Sequence, residues 1–140
     1  MNQTDTIRHI LQTCRTVAVV GLSPKPDRAS FEVAGYMQAQ GWRIIPVNPV
    51  AAASGQLILG ERVYATLPEA AQHEKIDLVD VFRNAADVPP VVADAIAIGA
   101  RAVWLQLGIE HAAAAAAAQA AGLQVVQNKC LLVEHAAAGF

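Results

Sequence analysis

The stretch that decides the fold is Thr16-Val-Ala-Val-Val-Gly21-Leu-Ser23-Pro-Lys25-Pro-Asp-Arg28-Ala-Ser30. It opens with a β-branched apolar run, which is typical of a buried parallel strand. Gly21 ends that run and permits a sharp turn and the close approach of a ligand. Ser30 is expected to N-cap the following helix, whose free N–H groups and positive dipole end favour an anion. Since Lys25 and Arg28 add positive charge beside that end, the stretch predicts a site for a phosphorylated ligand.

Length and composition limit the number of domains and the classes of ligand that the chain can be expected to bind. A chain of 140 residues fits one domain with a real core, and we expect residues 1–140 to fold as one unit. Ten Lys and Arg side chains against twelve Asp and Glu give a net charge of −2, which argues against general binding of nucleic acid or of an anionic membrane. The sequence carries no secretory signal pattern and no uninterrupted transmembrane run, so a cytoplasmic location is expected. Cys14 and Cys130 lack metal-ligand spacing, which favours free thiols over a disulfide or a zinc site.

Strand-like runs alternate with amphipathic or alanine-rich runs along the chain, the pattern of a parallel sheet covered on both faces. We therefore predict an α/β fold with a doubly wound, mainly parallel five-stranded sheet in three layers. The predicted strands are residues 16–20, 43–47, 77–82, 102–107 and 124–127. The predicted helices are residues 4–13, 30–40, 89–99 and 110–121, with a short helix at 67–73, a loop at 51–59 and an extended piece at 61–64. His111 is expected to be a solvated surface residue, and Trp42 and Trp104 are expected to lie in the core.

Ligands of an open α/β sheet bind outside the carboxyl ends of the strands, near the point where the strand order reverses. Polar and basic residues recur at these predicted ends, although the strand bodies are apolar. The candidate site residues are Gly21, Ser23, Lys25 and Arg28 after the first strand, Asn48 and Pro49 after the second, Phe82 and Arg83 after the third, Gln106 and Gly108 after the fourth, and Asn128, Lys129 and Cys130 after the fifth. Loops are usually polar, but four cations on one rim favour a phosphate-rich ligand.

Two nucleotide-binding fingerprints are absent. Gly21 is not followed by the further glycines of G-x-G-x-x-G, and the second strand ends in Asn48 where NAD sites usually carry an acidic residue. No G-x-x-x-x-G-K-[ST] loop occurs and no acidic pair is placed to hold magnesium, which argues against nucleotide hydrolysis.

Five segments follow one another in a recognisable order. They are Val-Val-Gly21-Leu-Ser23-Pro-Lys25-Pro-Asp-Arg28-Ala-Ser30, Gly41-Trp-Arg-Ile-Ile-Pro46-Val-Asn48-Pro49, Asp77-Leu-Val-Asp80-Val-Phe82-Arg83, Val103-Trp104-Leu-Gln106-Leu-Gly108-Ile and Asn128-Lys129-Cys130. Together they resemble the single-domain CoA-binding proteins, which are similar to the CoA-binding domain of succinyl-CoA synthetase and acyl-CoA synthetases. The resemblance covers about residues 10–135 and is specific as a joint pattern. It implies a Rossmann-like sheet that holds coenzyme A at its carboxyl edge.

The resemblance also implies a role for each matching residue. Gly21, Ser23, Lys25 and Arg28 would contact the pyrophosphate or the 3′-phosphate, and Asn48 and Pro49 would line the adenosine. Phe82 and Arg83 would flank the pantetheine, with Gln106 and Gly108 on its far wall and Cys130 nearest the thiol. The chain departs from the family in two places: Asn128-Lys129 stands where an Asp-Arg pair often precedes the cysteine, and the fourth helix begins Ile109-Glu110-His111.

Three functions remain open at this point. The leading one is a non-catalytic carrier, sensor or regulatory module that binds CoA or an acyl-CoA. The second is an enzyme that acts on an acyl-CoA or a CoA disulfide through Cys130, with Glu134 and His135 close by in sequence, although a structural thiol is the more common role for such a cysteine. The third is an NADP-binding redox sensor, for which Lys25 and Arg28 would supply the charge. No protein partner is indicated.

Overall fold

The computed structural model describes residues 2–140, which form five strands and seven α-helices. The strands are β1 (Thr16–Val20), β2 (Arg43–Val47), β3 (Leu78–Val81), β4 (Ala102–Leu105) and β5 (Gln124–Val126). The helices are α1 (Gln3–Thr13), α2 (Ala29–Ala39), α3 (Pro49–Ser54), α4 (Leu67–Ala71), α5 (Val88–Ala97), α6 (Ala112–Ala120) and α7 (Leu131–Ala138), and a short 3₁₀ turn covers Ala85–Asp87.

The strands form one sheet in the order β2-β1-β3-β4-β5, and every neighbouring pair is parallel. The chain moves outward from β1 to β2 and then crosses to the other side of β1, where β3, β4 and β5 follow in turn. The strand order therefore reverses between β1 and β3, and this reversal is the topological switch point of the fold. The predicted α/β, doubly wound, Rossmann-like sheet is confirmed, and it is wholly parallel.

Helices cover both faces of the sheet. One apolar cluster packs α1, α2 and α7 against the sheet through Ile10, Met37 and Leu131. The other packs α4, α5 and α6 against the opposite face. Trp42 and Trp104 are 4% and 0% exposed, as expected of core residues. The three layers predicted from the alternating pattern are present because the strands contribute apolar side chains to both faces of the sheet.

The structure corrects the sequence prediction at two helices. The predicted loop at 51–59 begins as α3, because the Asn48 side chain accepts from the backbone N–H groups of Val50 and Ala51 and Pro49 suits the first turn. Helix α7 was not predicted. Cys130 makes no side-chain cap for it, and its stability comes from tertiary burial, which local sequence does not reveal.

Two smaller expectations also differ from the structure. Residues 61–64 form no strand, but only isolated bridges between Ile58 and Glu61 and between Val47 and Tyr64. His111 is half-buried instead of solvated, because its Nδ1 accepts from the Ala114 N–H at 3.0 Å and caps α6.

Helix α1 is joined to the far edge of the sheet. The Gln3 side-chain amide donates to the Gln127 carbonyl, and the Gln127 N–H donates to the Gln3 amide oxygen, both at 3.3 Å. These two residues are 124 positions apart in sequence. Within residues 2–140, no helix has the length and apolar character needed to cross a membrane.

Candidate functional site

Gly21 lies at the switch point, directly after β1. Its φ is +88°, and its N–H donates to the Val47 carbonyl of β2 at 2.9 Å. A Cβ on Gly21 would lie 2.3 Å from the Phe82 carbonyl oxygen, which follows β3. The exits of β1 and β3 can therefore approach this closely only because residue 21 has no side chain.

The loop after Gly21 is held by its own hydrogen bonds. The Ser23 N–H donates to Ser30 Oγ at 3.0 Å, and the Lys25 N–H donates to Ser23 Oγ at 3.1 Å. The expectation that Ser30 N-caps α2 is wrong, because its hydroxyl serves this loop and the helix begins one residue earlier, after Arg28. Since the Arg28 side chain makes no cap hydrogen bond, the first turn of α2 keeps backbone donors available for a ligand.

A cavity of about 340 Å³ opens at the switch point. It is built from the exits of β1, β3 and β4 and the start of α2, and its lining residues are Gly21, Ser23, Arg28, Ala29, Ser30, Phe82, Arg83, Asn84, Ala85, Gly108 and Ile109. The lining contains two guanidinium groups and no carboxylate. Together with the start of α2, these charges make the cavity suited to an anion.

Six of the predicted site residues line this switch-point cavity: Gly21, Ser23, Arg28, Phe82, Arg83 and Gly108. Lys25 is exposed on the same loop, outside the lining. Pro49 lines a separate cavity of about 390 Å³ beside α3. Lys129 contributes its backbone carbonyl, which accepts from Trp104 Nε1 at 2.8 Å.

Two of the predicted residues, Asn48 and Asn128, support the loops around the cavity. Asn48 caps α3 and also donates through Nδ2 to the Leu22 carbonyl at 2.9 Å, which joins the exits of β1 and β2. Asn128 has a φ of +57°, and its Oδ1 accepts from the Gly108 N–H at 2.7 Å. Both amides therefore hold the loops in position through backbone groups.

Gln106 forms a buried polar pair that the sequence analysis missed. Its Nε2 donates to Asp80 Oδ1 at 2.6 Å, and both side chains are buried. Asp80 Oδ2 has no hydrogen-bond partner within the described residues. Burial raises the pKa of Asp80 to about 7, against the weaker opposing effect of the Gln106 hydrogen bond. The sequence signal that could have indicated this pair is the single acidic residue in the apolar run Leu78-Val-Asp80-Val, since a buried carboxyl requires a polar partner.

In the described part of the chain, the Cys130 thiol and the His135 imidazole do not contact each other as a nucleophile and its base would. Cys130 is half-buried and packs against the apolar cluster beneath α7. His135 instead places Nδ1 2.9 Å from the Tyr36 hydroxyl and packs edge-on against the Tyr36 and Trp42 rings. Burial, followed by the nearby Arg15 charge, lowers the pKa of His135. The His135 imidazole thus packs between α2 and α7 and does not face Cys130.

A larger cavity, of about 450 Å³, lies at the amino edge of the sheet. Its carboxylates already have partners: Glu74 pairs with Arg43, and Asp77 accepts from the N–H groups of Arg15 and Thr16. Helix α5 ends beside this cavity and presents the negative end of its dipole, which disfavours an anion. The lining of the amino-edge cavity thus combines Lys75 and Arg101 with two carboxylates, whereas the switch-point cavity has two guanidinium groups and no carboxylate, which favours the switch-point cavity for an anionic ligand.

Five lining residues were not among the predicted site residues: Ala29, Ser30, Asn84, Ala85 and Ile109. Each lies within two residues of one that was. Ser30 accepts from the Ser23 N–H, and Ala29 contributes through its place in the first turn of α2. Only their position at the strand ends could have identified them.

The fold and the cavity define a ligand-binding module of the doubly wound α/β class. The CoA binding domain family model matches residues 15–136, and the chain belongs to this family. The resemblance found in the sequence is thereby confirmed.

The chain is also similar to known proteins and solved structures. The chain is 36% identical over 130 residues to the Bacillus subtilis (strain 168) protein YneT, covering 93% of this chain and 92% of YneT. The structure of cell-free ID.343 from Thermus thermophilus superposes with a TM-score of 0.88 at 35% identity, covering 98% of both chains. A more distant likeness, the Rex-family repressor RSP in complex with beta-NADH, has a TM-score of 0.56 at 17% identity and covers 89% of this chain and 55% of RSP. At that identity the likeness concerns the fold alone.

Proposed function

We propose that this protein binds coenzyme A or an acyl-CoA at the carboxyl edge of its sheet, with phosphate groups in the switch-point cavity. The observation that carries the proposal is the bare backbone at Gly21, beside the uncapped start of α2 and between Arg28 and Arg83. Bidentate guanidinium groups and helix-start N–H groups are the donors that phosphate oxygens prefer. Membership of the CoA binding domain family supports the same ligand.

The adenosine is proposed to lie beside Asn48 and Pro49. Pro49 lines the cavity next to α3, and the Asn48 bond to the Leu22 carbonyl connects this region with the loop that carries the phosphates. Lys25, which has no ion pair within the described residues, adds positive charge for the 3′-phosphate. Lys129 follows β5, at the opposite edge of the sheet from β2, so its charge would lie toward the pantetheine instead. The pantetheine would leave the cavity past Phe82 and Gly108.

The proposed role is that of a non-catalytic carrier, sensor or regulatory module in the cytoplasm. Both cysteines are free thiols, as is usual in a reducing compartment. Burial raises the pKa of the Cys14 thiol, which keeps it protonated. Cys130→Ser is expected to leave CoA affinity unchanged. Loss of a measurable turnover of acyl-CoA or CoA disulfide in this variant would instead establish the enzyme hypothesis.

The first experiment is thermal stabilisation of the reduced protein by CoA, dephospho-CoA, acetyl-CoA, NAD and NADP at matched concentrations. A ligand that binds only the folded state raises its stability. We expect CoA and acetyl-CoA to raise the melting temperature, dephospho-CoA to raise it less, and the nicotinamide nucleotides to have no effect. A larger shift with NADP would favour the redox-sensor hypothesis, and no shift with CoA would contradict the proposal.

A charge-matched pair of variants tests the position of the site. Arg28→Ala is expected to weaken CoA binding by about 1.5–3 kcal/mol, because it removes a charge-assisted phosphate contact. Arg101→Ala removes the same charge at the amino-edge cavity and should leave affinity unchanged. The reverse result in calorimetric titrations would move the site to the opposite edge of the sheet.

A further inference from the structure

A second, apolar groove runs between α5 and α6. It is open to solvent and has a volume of about 250 Å³, and its walls are Val92, Ala93 and Ile96 from α5 and the exposed Ala113 and Ala117 from α6. The groove exists because α6 is composed of eight alanines and one glutamine, so it has no large side chain to close the gap against α5. Below about 300 Å³, such a groove is small for a complete ligand but suits one part of a larger ligand.

The groove adjoins the switch-point cavity. Its mouth is formed by Pro89, in the first turn of α5, and His111, the N-cap of α6, so both helices open it toward the carboxyl edge of the sheet. Ile109 lines the cavity, and His111, two residues further along the chain, lines the groove, so this short segment connects the two. A ligand with phosphates in the cavity can therefore reach the groove along residues 109–111.

His111 provides one polar group at this mouth. Its Nδ1 accepts from the Ala114 N–H, which leaves Nε2 as the ring nitrogen that can donate. A free N–H donor at the entrance to an apolar groove suits a ligand with a carbonyl oxygen followed by a hydrocarbon chain.

We propose that the α5–α6 groove receives the acyl chain of an acyl-CoA, with its thioester carbonyl beside His111. This inference rests on the proposed function and specifies the ligand as a thioester of a medium-length fatty acid. Each methylene buried in the groove is worth about fourfold in affinity. The acyl group, and not CoA alone, then sets the occupancy of the protein.

The test is calorimetric titration with CoA and with acetyl-, butyryl-, hexanoyl- and octanoyl-CoA. Affinity for wild type is expected to rise with chain length by up to about fourfold per methylene and to level off when the groove is full. Ala117→Leu fills the groove from α6 and should abolish the rise while leaving CoA affinity unchanged. Ala116→Leu is the matched control, because Ala116 is exposed on the same helix and does not line the groove.

The outcomes separate the two proposals. If CoA itself does not bind, the proposed function is wrong and the groove proposal is overturned with it. If CoA binds but octanoyl-CoA binds no more tightly, only the groove proposal is overturned. The groove proposal is likewise overturned if Ala117→Leu and Ala116→Leu show the same dependence of affinity on acyl chain length. Ala93→Leu, on the facing wall, should reproduce the effect of Ala117→Leu and protects the test against a folding defect in one variant.

Discussion

At the scale of single residues, Gly21 determines how near a ligand can come to the sheet. It combines a left-handed φ with a contact to the Phe82 carbonyl that leaves no space for a Cβ. These two requirements are separable in principle, because Gly41 has a similar φ of +91° but open space, with no atom within 4 Å of where its Cβ would lie.

Gly21→Ala is therefore expected to destabilise the fold more than Gly41→Ala. Both variants place alanine in a left-handed conformation, at a cost of about 1–3 kcal/mol, and only the first adds the clash with Phe82. Urea unfolding of both variants measures the difference. Equal losses would mean that β3 moves away from residue 21 at little cost.

The Asp80 carboxyl makes stability depend on pH. Its pKa is about 7 in the fold against 3.8 for an unperturbed carboxyl. Between these values the folded state holds more protons than the unfolded state. The free energy of unfolding contributed by Asp80 is therefore fully present below the lower value, falls as pH rises through this window and stays low above it.

Asp80→Asn should remove this pH dependence, because an amide does not titrate and still accepts from Gln106. Urea unfolding at about pH 5 and about pH 8 should show that the free energy of unfolding falls less between these two values in the variant than in wild type. In wild type, the contribution of Asp80 approaches a slope of about 1.4 kcal/mol per pH unit. Asp87→Asn, at an exposed carboxylate, should keep the wild-type dependence. Identical pH profiles for wild type and Asp80→Asn would show that the buried carboxyl does not titrate in this window.

Residue chemistry made part of the site predictable. Gly21 and Arg28 were expected at a phosphate site because a glycine between a strand and a basic loop suits one, and both line the switch-point cavity. Gln106 was expected to face the ligand, and its contact with Asp80 could not be read from sequence, because the pair is 26 positions apart and meets only through strand pairing.

At the scale of elements, Asn48 links two parts of the site. It caps α3 through Oδ1 and connects the exits of β1 and β2 through Nδ2. Thr66 offers a comparison, because its side chain caps α4 by accepting from the Glu69 N–H at 3.2 Å.

Asn48→Ala and Thr66→Ala should each lose about 1 kcal/mol of stability through the missing cap. Asn48→Ala should lose more, since the Leu22 carbonyl also loses its donor, and it should weaken CoA binding. Thr66→Ala should bind CoA like wild type. Chemical unfolding and titration with CoA check both statements, and equal CoA affinities in the two variants would contradict the link.

The elements differ in how far sequence determines them. β1 and β2 match their predicted bounds, because their apolar runs end at clear turn signals, Gly21 after β1 and Asn48-Pro49 after β2. Helix α3 carries its own signals, Asn48 as cap and Pro49 in the first turn, but the same two residues also suit a ligand contact at a strand end. Helix α7 has no such signal, and its buried Leu131 and His135 acquire their partners only in the folded chain.

At the scale of the whole molecule, the sequence predicts that the sheet has a switch point but not which two strands flank it. The alternation of runs indicates a doubly wound sheet, whereas the order β2-β1-β3-β4-β5 depends on pairings between distant strands. That order brings the β1 and β3 exits together, and the site follows from it.

Hydrogen exchange tests this arrangement over the whole chain. The central strands β1, β3 and β4 should exchange more slowly than the edge strands β2 and β5. Added CoA should slow exchange at residues 21–30, 82–85 and 108–109, with no change at residues 73–77 beside the amino-edge cavity. Slower exchange on CoA addition at residues 73–77 alone would place the ligand at the amino edge of the sheet and contradict the proposed site.

The Gln3–Gln127 contact has a consequence for synthesis on the ribosome. Helix α1 is made before β5, and the backbone group that its glutamine contacts is made 124 residues later. At about 5–20 residues per second, about 6 to 25 seconds separate the synthesis of the two contacting residues. Because α1 packs mainly on β5 and α7, its apolar face lacks these partners until both elements have been made.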